Sequence, residues 1–144
     1  MNESEYAVTL VPDDNETWLA LCAVLPEVTT FGATREEALR NAALAIEEAL
    51  AARMAGQKDL PLPAREAGAF IVPISVQAAL KAAIYRAMRR EGVNKAELAR
   101  RMRAHAPQID RLLDMRHKSR LDVMETALLH LGSQPVLHVA SAHA

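Results

Sequence analysis

The chain is predicted to be an α+β protein, with a β-β-β-α-β unit over residues 1–74 and an all-α unit over residues 75–144. Three observations predict this. Short runs of β-branched and aromatic residues, separated by turn clusters, fill the beginning of the chain. A single long helical periodicity follows them, and from Ser75 onward the apolar spacing is helical almost throughout. Charge divides at the same point: residues 1–74 hold 5 Lys/Arg against 12 Asp/Glu, and residues 75–144 hold 12 against 6. The overall charge of −1 therefore conceals an acidic front and a basic back, which suggests two modules with different partners. With 144 residues, 51% hydrophobic and 24% charged, the chain can bury a core in one or two small domains.

Tyr6 to Val11 and Thr17 to Val24 read as the arms of a hairpin, joined by the turn cluster Pro12-Asp13-Asp14-Asn15. Tyr6, Val8 and Leu10 share one face of the first arm, and Trp18, Ala20 and Cys22 share one of the second. A third short strand lies near Val28 to Phe31, bounded by Pro26 and Gly32. Thr34 and Glu37 form a capping box at the head of the long helix, whose core side is Leu39, Ala42, Ala43, Ile46, Ala49, Leu50 and Met54, with Gly56 as its stop. Leu60-Pro61-Leu62-Pro63 cannot continue a helix and favours an extended link, after which Phe70 to Ile74 reads as a fourth strand.

Ser75 caps the next helix, expected to reach Glu91 with Val76, Leu80, Ile84 and Met88 as its stripe and Gly92 just past its end. Asn94 and Glu97 make a second box-like cap, opening a helix from Lys95 to about Met102. A further helix spans roughly Ala106 to Leu113, and another, marked by Leu121, Met124, Leu128 and Leu131, ends at Gly132. The apolar tail Val136 to Val139 is a candidate strand.

The Lys95 and Ala106 helices, joined by a short turn, suit a helix-turn-helix unit. Ala99 is small enough for the helices to cross closely, and Leu98, Met102, Ile109 and Leu112 are spaced to fill the volume beneath. The turn usually carries glycine after the first helix, because that position favours positive φ; here it is Arg103, so a strained or altered turn is expected. In this reading the front of the second helix faces a DNA major groove with His105, Gln108, Asp110 and Arg111. Gln108 suits the edge of adenine and Arg111 that of guanine, each contact giving about 1–3 kcal/mol of discrimination. Arg100, Arg101, Arg103, Arg116, Lys118 and Arg120 are placed near phosphates, and His117 near the duplex. Such contacts set affinity and register without reading sequence. One unit makes a small interface, so a homodimer or dimer of dimers reading repeated half-sites is expected.

Enzyme chemistry is not indicated. Asp13, Asp14 and Glu16 fall at a hairpin turn, where Asp bonds local backbone, and Glu36 and Glu37 suit a helix's first turn. His105, His117, His130, His138 and His143 show no pair at metal-ligand spacing. Cys22, the single cysteine, reads as a small buried hydrophobe and excludes an internal disulfide. No P-loop, dinucleotide fingerprint or nucleophile elbow is present, and no cofactor is expected. No apolar run reaches the roughly 20 residues that span a bilayer, and the start MNESEYAVTL is acidic where a secretory signal would be basic and then apolar, so no membrane association and a cytoplasmic location are expected.

Phe31-Gly32-Ala33-Thr34-Arg35-Glu36-Glu37-Ala38, the link Leu60-Pro61-Leu62-Pro63, and the runs Lys95 to Met102 and Asp110 to Asp122 together resemble the HicB family of type II antitoxins, in the subgroup carrying a helix-turn-helix domain. The resemblance covers nearly the whole chain. It implies a partial RNase H-like toxin-binding domain over residues 1–74, which occludes a HicA-type RNA-cleaving toxin, and a DNA-binding and oligomerisation domain over residues 75–144, which represses the pair's own operator. An acidic front module is suited to meeting a basic RNA-binding protein, with the sheet edge and the helix from Thr34 as the expected meeting place. The alternative is a stand-alone transcription regulator whose front module senses a ligand or oligomerises.

Overall fold

The computed structural model describes residues 2–141; His143 lies outside them. In chain order the elements are β1 (Glu5–Pro12), β2 (Trp18–Leu21), β3 (Thr29–Gly32), α1 (Arg35–Ala55), β4 (Phe70–Pro73), α2 (Val76–Glu91), α3 (Lys95–Met102), α4 (Ala106–Leu112) and α5 (Leu121–His130). The protein is α+β in the expected order, a four-stranded sheet with one long helix followed by a helical region.

The sheet runs β3-β2-β1-β4 with every neighbouring pair antiparallel. Its turn at Asp13 to Glu16 is held locally: the Asp13 carboxylate accepts from the Asp14 N–H at 2.8 Å, and the Asp13 N–H donates to Thr17 O at 2.9 Å. The Asp13 carboxylate thus serves the backbone, as turn acids do. β2 is shorter than the Thr17 to Val24 arm, because Cys22 onward breaks into turns closed by Leu25 N–H to Cys22 O and Val28 N–H to Leu25 O. Leu25 and Val28 drop into the core from those turns.

Pairing Leu10 with Ala20 and Tyr6 with Val72 places these residues on one face of the sheet, and α1 lies against it with Ala38, Ala42, Ile46 and Leu50, all fully buried. Gly32 makes the close approach possible. A Cβ there would stand 2.4 Å from the Ala38 backbone nitrogen, so only glycine lets β3 lie against the first turn of α1. Thr34 Oγ1 accepts from the Glu37 N–H at 3.1 Å, but no return bond from the Glu37 carboxylate is formed. The helix ends at Ala55 with Gly56 as its cap, as the glycine suggests, but the left-handed residue falls one position later. Gly56 keeps a negative φ of −84°, and Gln57 takes the left-handed conformation at φ 55° while Lys58 N–H reaches back to Arg53 O.

The link after α1 forms no ladder, so its carbonyls need side-chain donors. α2 supplies them: Tyr85 Oη donates to Lys58 O at 2.7 Å, Arg86 donates to Leu60 O and Pro61 O, and Arg89 donates to Gln57 O and pairs with Asp59. Arg86 also bonds Tyr6 Oη and Glu3. α2 thus belongs to both halves of the molecule. Ala78, Ala82 and Tyr85 enter the core under the sheet, whereas Ile84, Ala87 and Met88 enter a second core with Val93, Leu98, Ile109, Leu112, Met124 and Leu128.

The expected α2 stripe is displaced, since Val76 is exposed and Leu80 only partly covered. Steps of four residues advance about 400° on a helix with about 100° per residue, so three steps from Met88 drift about 120° away from the buried line. Val136 to Val139 forms no strand. Val136 and Val139 are 89% and 80% exposed, and the segment pairs with no strand of the sheet.

Candidate nucleic-acid interface

α3 and α4 are joined by residues 103–105 and rest on the second core through Leu98 and Ile109, both fully buried, and Leu112, with Ala99 half-buried beside them. Asn94 Oδ1 caps α3 by accepting from the Glu97 N–H at 2.8 Å. The Glu97 carboxylate does not close the box, because Arg100 and Arg101 both donate to it. Those bonds, Arg100's first, hold its carboxyl below the usual carboxylate range.

The turn keeps its usual shape without glycine. Arg103 takes φ 53°, its N–H donates to Arg100 O at 3.2 Å, and the Ala104 N–H reaches Ala99 O at 2.9 Å, the paired bonds of a left-handed helix terminus. The strain expected at this residue is therefore present as positive φ on a side-chain-bearing residue.

At the head of α4 the Gln108 side chain turns back, and its Oε1 accepts from the His105 N–H at 2.7 Å. This is the glutamine half of a capping box, legible in the spacing of His105 and Gln108 but missed. It bears on base reading, since bidentate contact with adenine needs both the amide oxygen and the amide nitrogen. Gln108 and Arg111 are exposed and three apart, hence neighbours on one helix face. The Arg111 side chain makes no hydrogen bond or ion pair among the described residues, and neither do those of Arg103 and Lys118.

Of the other site residues foreseen from the sequence, most are engaged within the fold, Arg120 through its ion pair with Asp122 at 2.8 Å. Asp110 accepts from Lys95 Nζ at 2.9 Å, bridging α3 and α4. Arg101 also donates to His130 O at 3.0 Å, tying α3 to the end of α5. Arg116 reaches Glu48 on α1 at 3.3 Å. His105 and His117 are exposed, and His117 O accepts from Gln77 Nε2 at 3.1 Å.

Sequence reasoning missed Gln77 and Lys81, which fix the end of α4 and the loop beyond it. Gln77 Oε1 also accepts from the Ser119 N–H. Lys81 is fully buried, and its Nζ donates to Arg111 O at 2.7 Å, Leu112 O at 3.2 Å and Ser119 Oγ at 2.7 Å. Burial lowers its pKa, with Asp114 opposing the shift. A cation at a helix C-terminus meets carbonyls that the helix itself leaves open. Elsewhere, Cys22 is buried and its thiol pKa is raised by that burial. Among the described residues no helix is long and apolar enough to cross a membrane.

A sheet-and-helix front half is thus joined through α2 to a small helical half that carries the exposed face of α4. Comparison with known proteins places the chain among the antitoxins of toxin–antitoxin systems. Residues 5–83 match the family described as HicB_like antitoxin of bacterial toxin-antitoxin system. Antitoxin HicB of Pseudomonas fluorescens is 34% identical over 140 residues, covering 96% of this chain and 95% of that protein. Antitoxin HicB 2 of Photorhabdus laumondii is 32% identical over 120 residues, covering 83% of this chain and 85% of the relative. The crystal structure of the N-terminal domain of Burkholderia pseudomallei antitoxin HicB superposes with a TM-score of 0.42 at 21% identity, over 50% of this chain and 96% of that domain. The chain belongs to the HicB-like antitoxin family.

Proposed function

We propose that this antitoxin neutralises a HicA-type RNA-cleaving toxin through the module of residues 1–74 and represses its own operon through the module of residues 75–144, in the cytoplasm and as a homodimer or dimer of dimers. The observation that carries the reading is the match to relatives named antitoxin HicB along nearly the full chain, helical module included. The split charge supports it, since an acidic front suits a basic RNA-binding protein and a basic back suits DNA. In this reading the chain acts by binding and performs no catalysis. Arg111 reads a base edge, Arg103 and Lys118 meet phosphates, and His105, Asp110, Arg100, Arg101, Arg116 and His117 flank the duplex. Gln108 contributes its free Nε2, or both amide atoms once its cap is released.

Gel retardation with DNA upstream of the gene tests the repressor half. Arg111→Ala is expected to relax base preference, whereas Lys118→Ala weakens binding to every duplex and reduces the salt slope by about one unit. Equal effects from both substitutions refute the assignment of α4. For the toxin half, co-expression with the small basic protein of the adjacent reading frame should restore growth. A second reading, a stand-alone regulator that senses a ligand, is favoured by the open cleft between α1, α2, α3 and α4, lined by Met54, Tyr85, Met88, Lys95, Asp110 and Met115. A neighbouring toxin that this chain never binds would select it.

A further inference from the structure

One face of the sheet is covered by α1, and no other helix among the described residues packs on the opposite face. Pairing sets Val11 opposite Leu19 and Leu19 opposite Phe31 in one continuous row, with Ile71 opposite Ala7 further along. Strand alternation turns all of them away from the core residues Tyr6, Val8 and Ala20. Phe31 is 61% exposed, Ile71 52% and Val11 38%. A contiguous apolar strip of this kind on a sheet face marks a contact surface. No Lys or Arg occupies a ladder position on this face, while Glu5 does, and Asp13, Asp14 and Glu16 stand in the turn that follows Val11 and leads back to Leu19. The charged residues on the ladder positions of this face and in that turn are therefore all acids. α1 offers far less: its apolar line Ala38, Ala42, Ile46 and Leu50 is turned inward, and Leu44 is its lone large exposed apolar side chain among the described residues.

We propose that this open sheet face is the docking surface for a small basic protein, with Phe31 on β3 as the anchor, Leu19 and Val11 continuing its row, Ile71 at the far side of the face on β4, and the Asp13–Glu16 turn as the electrostatic rim. The assignment rests on the toxin-binding reading and moves the contact away from the sheet edge and α1. A second copy presenting the same face would oppose two modules that each hold 12 acids against 5 bases, whereas a basic partner gains attraction where the copy meets repulsion. Phe31 closes the row on the edge strand β3 and is its most exposed member, and a large exposed aromatic is the kind of residue on which binding energy concentrates.

The test uses the full chain and, as probe, the basic protein encoded by the adjacent reading frame, with affinity measured by titration calorimetry and oligomeric state by sedimentation. Phe31→Asp is expected to lower affinity by about 100-fold or more with an unchanged melting curve. Val11→Lys serves as a second variant should Phe31→Asp unfold, and is expected to weaken binding in the same direction. Asp13→Asn combined with Asp14→Asn and Glu16→Gln should slow association and flatten its salt dependence, and Leu44→Asp should bind as the wild type does. If the wild type binds and both face variants match it, the surface is wrong while the toxin reading stands. A wild type that fails to bind removes both. A wild-type dimer that Phe31→Asp splits, with probe binding intact, gives the face to a second copy and overturns the proposal.

Discussion

Replacing Lys81 with methionine should destabilise the protein by about 2 kcal/mol and loosen the end of α4 first. The ammonium is fully buried and donates to Arg111 O, Leu112 O and Ser119 Oγ. Charge-assisted bonds of this kind contribute roughly 1.5–3 kcal/mol each, and stranded buried carbonyls cost about 1–3 kcal/mol. Against that loss stands relief of the penalty for burying a charge, several kcal/mol, and methionine keeps the stem volume. The balance is about 2 kcal/mol, or roughly 6–10 °C in Tm for a chain of this size. Thermal unfolding followed by far-UV circular dichroism measures it, with Lys118→Met as an exposed comparison expected to change stability by at most about 0.5 kcal/mol. Amide exchange should accelerate at Leu113, whose N–H closes the last turn on Ile109 O. The pH dependence has a definite sign. Burial lowers the folded pKa of Lys81 below its ordinary value of 10.5, so between the two values the unfolded chain holds more protons and stability rises with pH. This contribution is complete above 10.5 and is lost as pH falls through the folded pKa; the gap between wild type and Lys81→Met therefore widens toward alkaline pH. A variant that melts with the wild type, exchanges normally at Leu113 and shows a constant gap would refute the role of Lys81 as the fastener of α4.

Gly32→Ala should destabilise by about 1–3 kcal/mol, because the new methyl meets the backbone of Glu37 and Ala38, which cannot swing aside as a side chain can; urea unfolding monitored at Trp18 reads it. Gln57→Gly should stabilise by about 0.5–1 kcal/mol, since glycine removes the left-handed penalty at φ 55° and returns part of the gain as unfolded-chain entropy. Arg103→Gly should stabilise similarly by calorimetry and at the same time weaken DNA retention if Arg103 meets phosphate.

What the sequence disclosed and what it concealed follow from the range of the interactions involved. The hairpin, the Thr34 and Asn94 caps and the inward set Leu98, Ile109 and Leu112 depend on neighbours within a few residues, and all were legible. The Arg103 turn was legible as a problem but not as a solution, because bonds to Ala99 O and Arg100 O decide whether an arginine is held at positive φ. The Gln108 cap was equally local and was overlooked only because a glutamine on that helix face was assigned to base reading.

α2 is the instructive failure. A stripe drawn at steps of four assumes that a helix has one buried side, and on that assumption Lys81 belongs to water. The helix instead fills two cores, Ala78, Ala82 and Tyr85 in one and Ile84, Ala87 and Met88 in the other. Lys81 lies where the end of α4 closes over α2, and the carbonyls of Arg111 and Leu112 together with Ser119 Oγ, some thirty to forty residues ahead, make a lysine tolerable there. No local pattern encodes that partner. Because the same helix holds the front core on one side and the end of α4 on the other, the two modules share a structural member. Cutting the chain after Ile74 would therefore strip Ala78, Ala82 and Tyr85 from the front core, whereas a cut after Gly92 keeps them.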